Sequence, residues 1–391
     1  MKILVVCPEI PAAQKKGYQV LSYHRVAILA QKHSVQVLCF GRDENDLSDK
    51  RALEALGIAV HMVGWRKLDA LRFGLGALID TSMPFQCAFY ASNAFRLAFN
   101  SMLREFNPDA VYAVTVRIFS NISCSGKPLY VDIVDSMGLN FWRRTQTARG
   151  LKKALLTLEH ARIKAFERKV AQKATRSFVV SELDRSYIGE GKVGVLPLGI
   201  DLSHFRREHA FDQAPIVVFS GNMNYQPNVE AVLWFVASCW QAIKILVPAA
   251  RLVIAGSDPA PSVASLVADS SITVTGRVAS MAAVLNASQV AVAPMQSGSG
   301  MQFKVLEAMA CSVPVVATTI GLGDIGAVAN EEILIGDTPE TITELVVSLL
   351  RDASQRVKIG EAGFRYVAAN HQWDGINERF SRECGFAYGD A

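Results

Sequence analysis

No Cys-x-x-Cys pair occurs in the 391 residues, and the seven cysteines, at 7, 39, 87, 124, 239, 311 and 384, are odd in number and widely scattered. That pattern speaks against a zinc ribbon or a disulfide framework and suits reduced thiols in a cytoplasmic protein. A Walker-type Gly-Lys-Ser/Thr is missing, and so is any Asp-x-Asp, so neither a P-loop nor a paired-aspartate metal site is expected. A Gly-x-Gly-x-x-Gly at Gly321 to Gly326 follows a strand-like run, but only Ala327 to Asn330 separate it from the next one. No phosphate-binding helix fits there, which removes most support for a dinucleotide site. No apolar run approaches eighteen residues and no signal-peptide pattern precedes the first strand-like run, so neither export nor a membrane span is expected. Repeats and low-complexity segments are also missing. An excess of one charge is small, with 40 Lys and Arg against 36 Asp and Glu, which argues against a nucleic-acid partner.

What is present reads as a globular α/β chain, 50% hydrophobic and 19% charged, long enough for two domains with a ligand cleft between them. Lys2 to Cys7, a loop to Gly17, a helical stretch to His33 and the run Ser34 to Phe40 form a β-loop-α-β unit. Strands this apolar predict a parallel sheet covered on both faces. Further strands are predicted at Ile58 to Val63, Ala110 to Val114, Leu129 to Val134, Ser177 to Val180 and Val193 to Leu196. After a loop-like hinge, Leu198 to Pro215, a second set follows at Ile216 to Phe219, Arg251 to Ala255, Ile272 to Thr275, Val290 to Ala293, Val313 to Ala317 and Ile333 to Ile335. The expected architecture is two doubly wound, Rossmann-like domains facing a cleft, residues 1–200 and 201–370, with a tail helix, 371–391, crossing back onto the first.

The chemistry centres on Ser297 to Thr318, SGSGMQFKVLEAMACSVPVVAT. A Ser/Gly loop runs into a short helix on which Lys304 and Glu307, three residues apart, share a face behind free backbone N–H groups. A phosphate there would meet the helix terminus and Lys304, while Glu307 could accept from sugar hydroxyls. The competing reading is a turn followed by an exposed ion pair of little consequence. Asp132 and Asp135 end the strand VDIVD, where carboxylates are placed for acid/base or hydroxyl-binding work, although Asp135 could equally cap the next helix. Gly17, after Lys16, could admit a ligand close to the backbone or simply make a turn. Two segments are basic and amphipathic. One is Trp65 to Gly76; the other, Arg143 to Arg176, holds eleven Lys or Arg against Glu159 and Glu167 and carries an apolar stripe at Leu156, Ile163, Phe166 and Val170. Such a charge excess would draw the first domain to an anionic membrane surface, the alternative being a solvated face.

Several runs then occur in a fixed order: FSGNMNYQPNVEAVLWF (219–235), ARLVIAGSDPAP (250–261), ITVTGRV (272–278), VAVAPM (290–295) and GMQFKVLEAMACSVPVVAT (300–318). With KKGYQVLSYHRVAILAQKHSVQVLCF (15–40), VDIVDS, VVSELD and VLPLGID, they resemble the retaining family 4 glycosyltransferases of GT-B fold, most closely the sugar transferases of bacterial exopolysaccharide clusters. The resemblance implies that Glu307 holds the ribose of a nucleotide-sugar. Lys304 and the backbone of Gly298, Ser299, Gly300 and Met301 would hold diphosphate and sugar, with Gly221 and Asn222 lining the donor site and Gly17 beside the phosphates. Ser299 stands where many members have a first glutamate, and Asn222 and Pro227 stand where many have Arg and Lys. Diphosphate neutralisation then falls on Lys304 and Arg277. The expected activity is transfer of a sugar from a nucleotide-diphosphate donor to a glycan or lipid-linked acceptor, without a cofactor or metal, at the inner face of the cell membrane. A nucleotide-sugar epimerase and a non-catalytic nucleotide-sugar-binding member of a polysaccharide assembly are the alternatives.

Overall fold

The computed structural model describes residues 1–13, 17–41, 45–65, 73–74, 76, 82–123, 126–189, 191–208, 214–298 and 300–386. The chain divides into two units, Met1–Pro197 with Asp374–Ala391, and Leu198–Trp373.

In the first unit the strands β1 (Lys2–Val6), β2 (Ser34–Gly41), β3 (Ala59–Gly64), β4 (Ala110–Val114), β5 (Leu129–Val134), β6 (Arg176–Val179) and β7 (Val193–Val195) form one sheet in the order β3-β2-β1-β4-β5-β6-β7. Every pairing is parallel. The strands are near-continuous Val, Ile, Leu and Ala because helices cover both faces. The main helices are α1 (Gly17–Ala30), α2 (Asn45–Glu54), α3 (Asn93–Glu105), α4 (Met137–Thr147), α5 (Gly150–Lys173) and α6 (Glu182–Ile188). Strand order reverses between β1 and β4, which marks the ligand-binding end of the sheet.

The second unit repeats the plan with β8 (Ile216–Ser220), β9 (Arg251–Ala255), β10 (Ile272–Gly276), β11 (Val290–Ala293), β12 (Val315–Ala317) and β13 (Leu334–Ile335), ordered β10-β9-β8-β11-β12-β13 and again parallel. Its reversal lies between β8 and β11. The helices that matter below are α7 (Gln226–Phe235), α8 (Phe303–Ala310), α9 (Pro339–Arg351) and α10 (Ala353–Asn370). Helix α7 continues through a π turn, and the combined Gln226–Leu246 is long and apolar enough to cross a membrane by length and composition. It is not an uninterrupted apolar run, since Glu230, Gln241 and Lys244 fall within it. Val229, Val232, Phe235, Trp240 and Ile243 of that helix are nevertheless buried in the core of the second unit, with Phe219, Leu252 and Val292.

The last helix, α11 (Trp373–Glu383), belongs to the first unit except for its first residue. Phe380 packs with its ring centroid 5.0 Å from Tyr112 and 5.6 Å from Phe178, and Arg176 pairs with Glu383 at 2.7 Å. The buried Arg25 of α1 donates to Asn377 Oδ1 at 2.6 Å and lies 4.6 Å from the Phe380 ring.

Candidate functional site

In the second unit the sequence places a glycine after each of three adjacent strands: Gly221 after β8, Gly256 after β9 and Gly276 ending β10. All three have positive φ, 147°, 148° and 65°. A Cβ on Gly256 would lie 1.7 Å from the Gly221 oxygen, so only glycine permits the two turns to sit this close. The thrice-repeated strand-then-glycine pattern (FSGN, IAGS, VTGR) was readable in the sequence, yet Gly256 and Gly276 were not singled out.

Across the strand-order reversal from Gly221 begins α8, whose N-cap Gln302 makes no side-chain cap bond. Lys304, on the first turn, is buried, and its Nζ donates to Asn228 Oδ1 at 2.7 Å and Gln302 Oε1 at 3.2 Å, with Met295 Sδ at 3.5 Å. Asn228 is held in turn by donating to the Asn222 carbonyl at 2.9 Å. A Cβ on Gly221 would come within 2.7 Å of Asn228 Nδ2 and 3.4 Å of Lys304 Cε, so this glycine gives Asn228 and Lys304 their room. The half-buried Glu307 has no side-chain hydrogen-bond partner among the described residues. Burial pushes the Lys304 ammonium down to about 8 against the pull of Glu307, and pushes the Glu307 carboxyl up to about 7. The exposed ion pair is therefore ruled out: these are two desolvated groups, one of them without a hydrogen-bonded partner. Asn228, contributed by a segment 76 residues earlier, is the residue the sequence reading missed.

Gly298 and Gly300 have φ of 127° and 69°, which suits a loop that turns its backbone toward a ligand, while Ser299 lies outside the described residues. Met301 turns its sulfur to the Leu198 N–H at 3.4 Å. Arg277 follows Gly276 at the third of the glycine turns. It follows the edge strand β10, separated from β8 by β9, so its backbone starts roughly 9–10 Å from Gly221 at about 4.8 Å per strand. Lys304 is the cation seen at the Gly221 turn among the described residues, through its contacts with Asn228 and Gln302.

In the first unit the expectation for Asp132 is corrected. Its carboxylate is 2% exposed, 3.8 Å from the Arg25 guanidinium, and accepts from Tyr112 Oη at 3.2 Å and the Val134 N–H at 3.2 Å. Burial raises its pKa against the influence of Arg25, Tyr112 and Val134. An acceptor does not meet a group sealed in this way. Asp135 is half-buried at the strand end, and the cap of α4 is Ser136, which accepts from the Leu139 N–H. Two further carboxylates brace that turn: Glu167 accepts from Ser136 Oγ at 2.7 Å and the Gly138 N–H at 3.2 Å, and Asp184 accepts from the Ser136 N–H at 3.0 Å. The β-branched Thr115 and Val134, after β4 and at the end of β5, both take positive φ, 63° and 73°, and the Thr115 hydroxyl is buried without a partner. Strain of this kind concentrates where sites are built. Across the reversal, Glu9 accepts from Tyr18 Oη at 2.5 Å and Tyr90 Oη at 3.4 Å. Gly17 is the first residue of α1, and Lys16 lies outside the described residues.

Desolvation pushes Glu167 up to about 8, with Asp135 and Asp184 adding to the rise and its two hydrogen bonds opposing it. A carboxyl raised on folding contributes stability below its unfolded value, near 4.5, and loses it as pH rises to about 8. Glu167→Gln should therefore flatten the fall in melting temperature between about pH 5 and pH 8. Thermal melts across that range check it, and an unchanged slope would show that Glu167 is not the titrating group.

The basic stretch is less uniform than its composition suggests. Leu156, Ile163, Phe166 and Val170 are buried as the stripe requires, but so are Glu159, Glu167 and Arg162, whose guanidinium lies 5.2 Å from the Phe85 ring. Arg168 donates to the Ile188 carbonyl, Lys164 sits 4.7 Å from the Tyr187 ring, and Arg176 pairs with Glu383. The other basic segment, 65–76, lies mostly outside the described residues.

Residues 214–352, which hold the glycine turns, Lys304 and Glu307, match the family model of the glycosyl transferases group 1. Three solved structures share the architecture over nearly the whole chain. Sucrose-phosphate synthase from Thermosynechococcus elongatus aligns with a TM-score of 0.74 at 15% identity over 98% of both chains. HepE from Anabaena, solved in complex with UDP and glucose, aligns with a TM-score of 0.67 at 12% identity over 99% of this chain and 100% of that one. WaaG, a glycosyltransferase involved in lipopolysaccharide biosynthesis, aligns with a TM-score of 0.68 at 13% identity over 98% and 100%. The chain has the GT-B fold. Together the group 1 match and this fold support a glycosyltransferase of GT-B type. A GDP-mannose-dependent monoacylated alpha-(1-6)-phosphatidylinositol monomannoside mannosyltransferase from Corynebacterium glutamicum is 34% identical over 83 residues, a match spanning 21% of this chain and 22% of that protein.

Proposed function

We propose that this GT-B chain moves a sugar from a nucleotide-diphosphate donor to a glycan or lipid-linked acceptor in cell-surface polysaccharide synthesis, with retention at the anomeric carbon. The observation that carries the reading is the pairing of Lys304 and Glu307 on α8, opposite the Gly221 turn at the strand-order reversal, inside the segment that matches the group 1 family. As the sugar–phosphate bond breaks, positive charge grows on the ring and negative charge on the departing diphosphate. Lys304 and the N–H groups of the first turn of α8 stabilise the leaving group there, and we assign them that role without a metal or cofactor. Glu307 takes the ribose hydroxyls, which supply the hydrogen bonds its carboxylate lacks. The Gly298 and Gly300 backbone lines the donor. Asp135, braced through Ser136 by Glu167 and Asp184, is placed at the acceptor. The protein works in the cytoplasm, held peripherally at the inner membrane face through its basic stretch.

Calorimetric titration with UDP-, GDP- and ADP-sugars, followed by incubation of the protein with the tightest binder alone, tests this reading. A transferase hydrolyses that donor slowly at most. Epimerised donor would overturn the reading. So would tight binding without turnover in the presence of acceptor extracts, an outcome that the neutral Asn222 and Pro227 would explain. Asp135→Asn should lower transfer about 100-fold or more while leaving donor affinity unchanged, the usual range for a positioned acid or base. Full transfer activity would remove Asp135 from the site.

A further inference from the structure

The first two turns of α5 carry leucines that the fold does not use. Leu151, Leu155 and Leu158 recur at steps of four and three, on one helix face, and are 77%, 59% and 48% exposed. The stripe that anchors α5, Leu156, Ile163, Phe166 and Val170, is buried separately. Helix α4, which packs against α5, presents Trp142, 44% exposed. An isolated exposed leucine is ordinary, but three in register on one helix face form a patch that calls for an occupant.

Charge identifies the occupant. Between Asp135 and Glu159 the chain holds five basic residues, Arg143, Arg144, Arg149, Lys152 and Lys153, and no acidic one. Arg149, Lys152 and Lys153 are exposed and make no ion pair among the described residues. Exposed leucines on one helix face, a neighbouring helix with an exposed tryptophan, and lysine and arginine flanking the leucines are the composition of an element lying in a bilayer interface, apolar face down and cations at anionic headgroups.

We propose that the hairpin of α4 and α5 inserts Trp142, Leu151, Leu155 and Leu158 into the acyl boundary of an anionic lipid bilayer. The inference rests on the reading of a membrane-held transferase and goes further: within the basic stretch, attachment requires apolar insertion at this hairpin, with the cations guiding it. Because α4, capped by Ser136, follows β5 across Asp135, the inserted element is continuous with the turn that presents Asp135. A lipid-linked acceptor would then arrive beside its reacting group.

The test is co-sedimentation of the full chain with vesicles of phosphatidylcholine alone and of phosphatidylcholine mixed with phosphatidylglycerol, at low and high salt. The Leu151→Ser/Leu155→Ser/Leu158→Ser variant is compared with Lys152→Gln/Lys153→Gln. The leucine variant should lose about 100-fold in partitioning to anionic vesicles, given the apolar area withdrawn from the bilayer. Its melting temperature and nucleotide-sugar titration should match those of the wild type. Trp142 fluorescence should be quenched by lipids brominated on the acyl chain, with the quenching absent in Trp142→Phe. Wild-type partitioning by the leucine variant overturns the inference and leaves electrostatic attachment standing. No sedimentation with any vesicle overturns both. A dimer in solution that the leucine variant dissolves, without vesicle binding, assigns the patch to a second copy of the chain instead.

Discussion

Arg25→Ala is expected to cost the first unit about 3–5 kcal/mol, the range for breaking one side of a buried charge pair. Arg25 is fully buried, donates to Asn377 Oδ1 and the Ile376 carbonyl, lies against the Phe380 ring and faces Asp132. Truncation would leave the Asp132 carboxylate buried without its cation and open a cavity beneath α11. A loss of this size should lower the melting temperature of this unit by about 10 °C. It should also expose α11 to protease before the second unit unfolds. Arg25→Met/Asp132→Asn removes both charges at similar volume and should restore most of the loss. Should the single and double variants melt alike, the charge pair is not what holds α11.

The same geometry reassigns the two aspartates of VDIVD. From the sequence both stand near the end of a buried strand, and only Asp135 has the further option of capping the next helix. The structure separates them by what reaches each: Arg25 comes from α1 and Tyr112 from β4, while the turn after Asp135 is held by Glu167 of α5 and Asp184 of α6. None of those partners lies within fifteen residues of the strand, so spacing could not reveal them.

The strands were the legible part. The runs 110–114, 129–134, 251–255 and 290–293 are strands over those very residues, because a parallel strand buried on both faces is apolar throughout and its ends are marked by polar or turn residues. Helices α2 and α3 went unread. Helix α3 buries only Phe95, Phe99 and Met102, at steps of four and three, and that narrow stripe is diluted by exposed Leu97 and by basic residues. At the site, Lys304 and Glu307 were legible because their chemistry depends on a three-residue spacing. Asn228 was not, because an uncharged amide 76 residues away gains its role only when β8 and β11 become neighbours. The exposed leucines of α5 were obscured in another way. A run such as ALLTLEH has apolar residues all round, and only burial shows that Leu156 is core while Leu155 and Leu158 are surface.

Lys304→Met should weaken nucleotide-sugar binding about 10- to 150-fold, the equivalent of a charge-assisted hydrogen bond of about 1.5–3 kcal/mol, and should do so without destabilising the unliganded protein. The opposite directions follow from the cost of keeping this ammonium buried. Desolvation holds it down to about 8, so at neutral pH the folded protein carries a charge that water would solvate better, and methionine fills the space without that penalty. A base depressed in this way binds fewer protons folded than unfolded between about pH 8 and pH 10.5, so wild-type stability should rise across that window and the rise should shrink in Lys304→Met. Glu307 acts with the opposite sign. Raised to about 7, it contributes stability below about pH 4.5 that is lost as pH climbs to 7. A bound diphosphate beside Lys304 would favour the charged ammonium, so donor binding should take up protons near pH 8, measurable as a buffer-dependent heat in calorimetry. Unchanged donor affinity in Lys304→Met, or binding heats independent of the buffer at pH 8, would remove Lys304 from the phosphate seat. The electrostatic argument for leaving-group stabilisation would then lose Lys304 as its cation at the Gly221 turn.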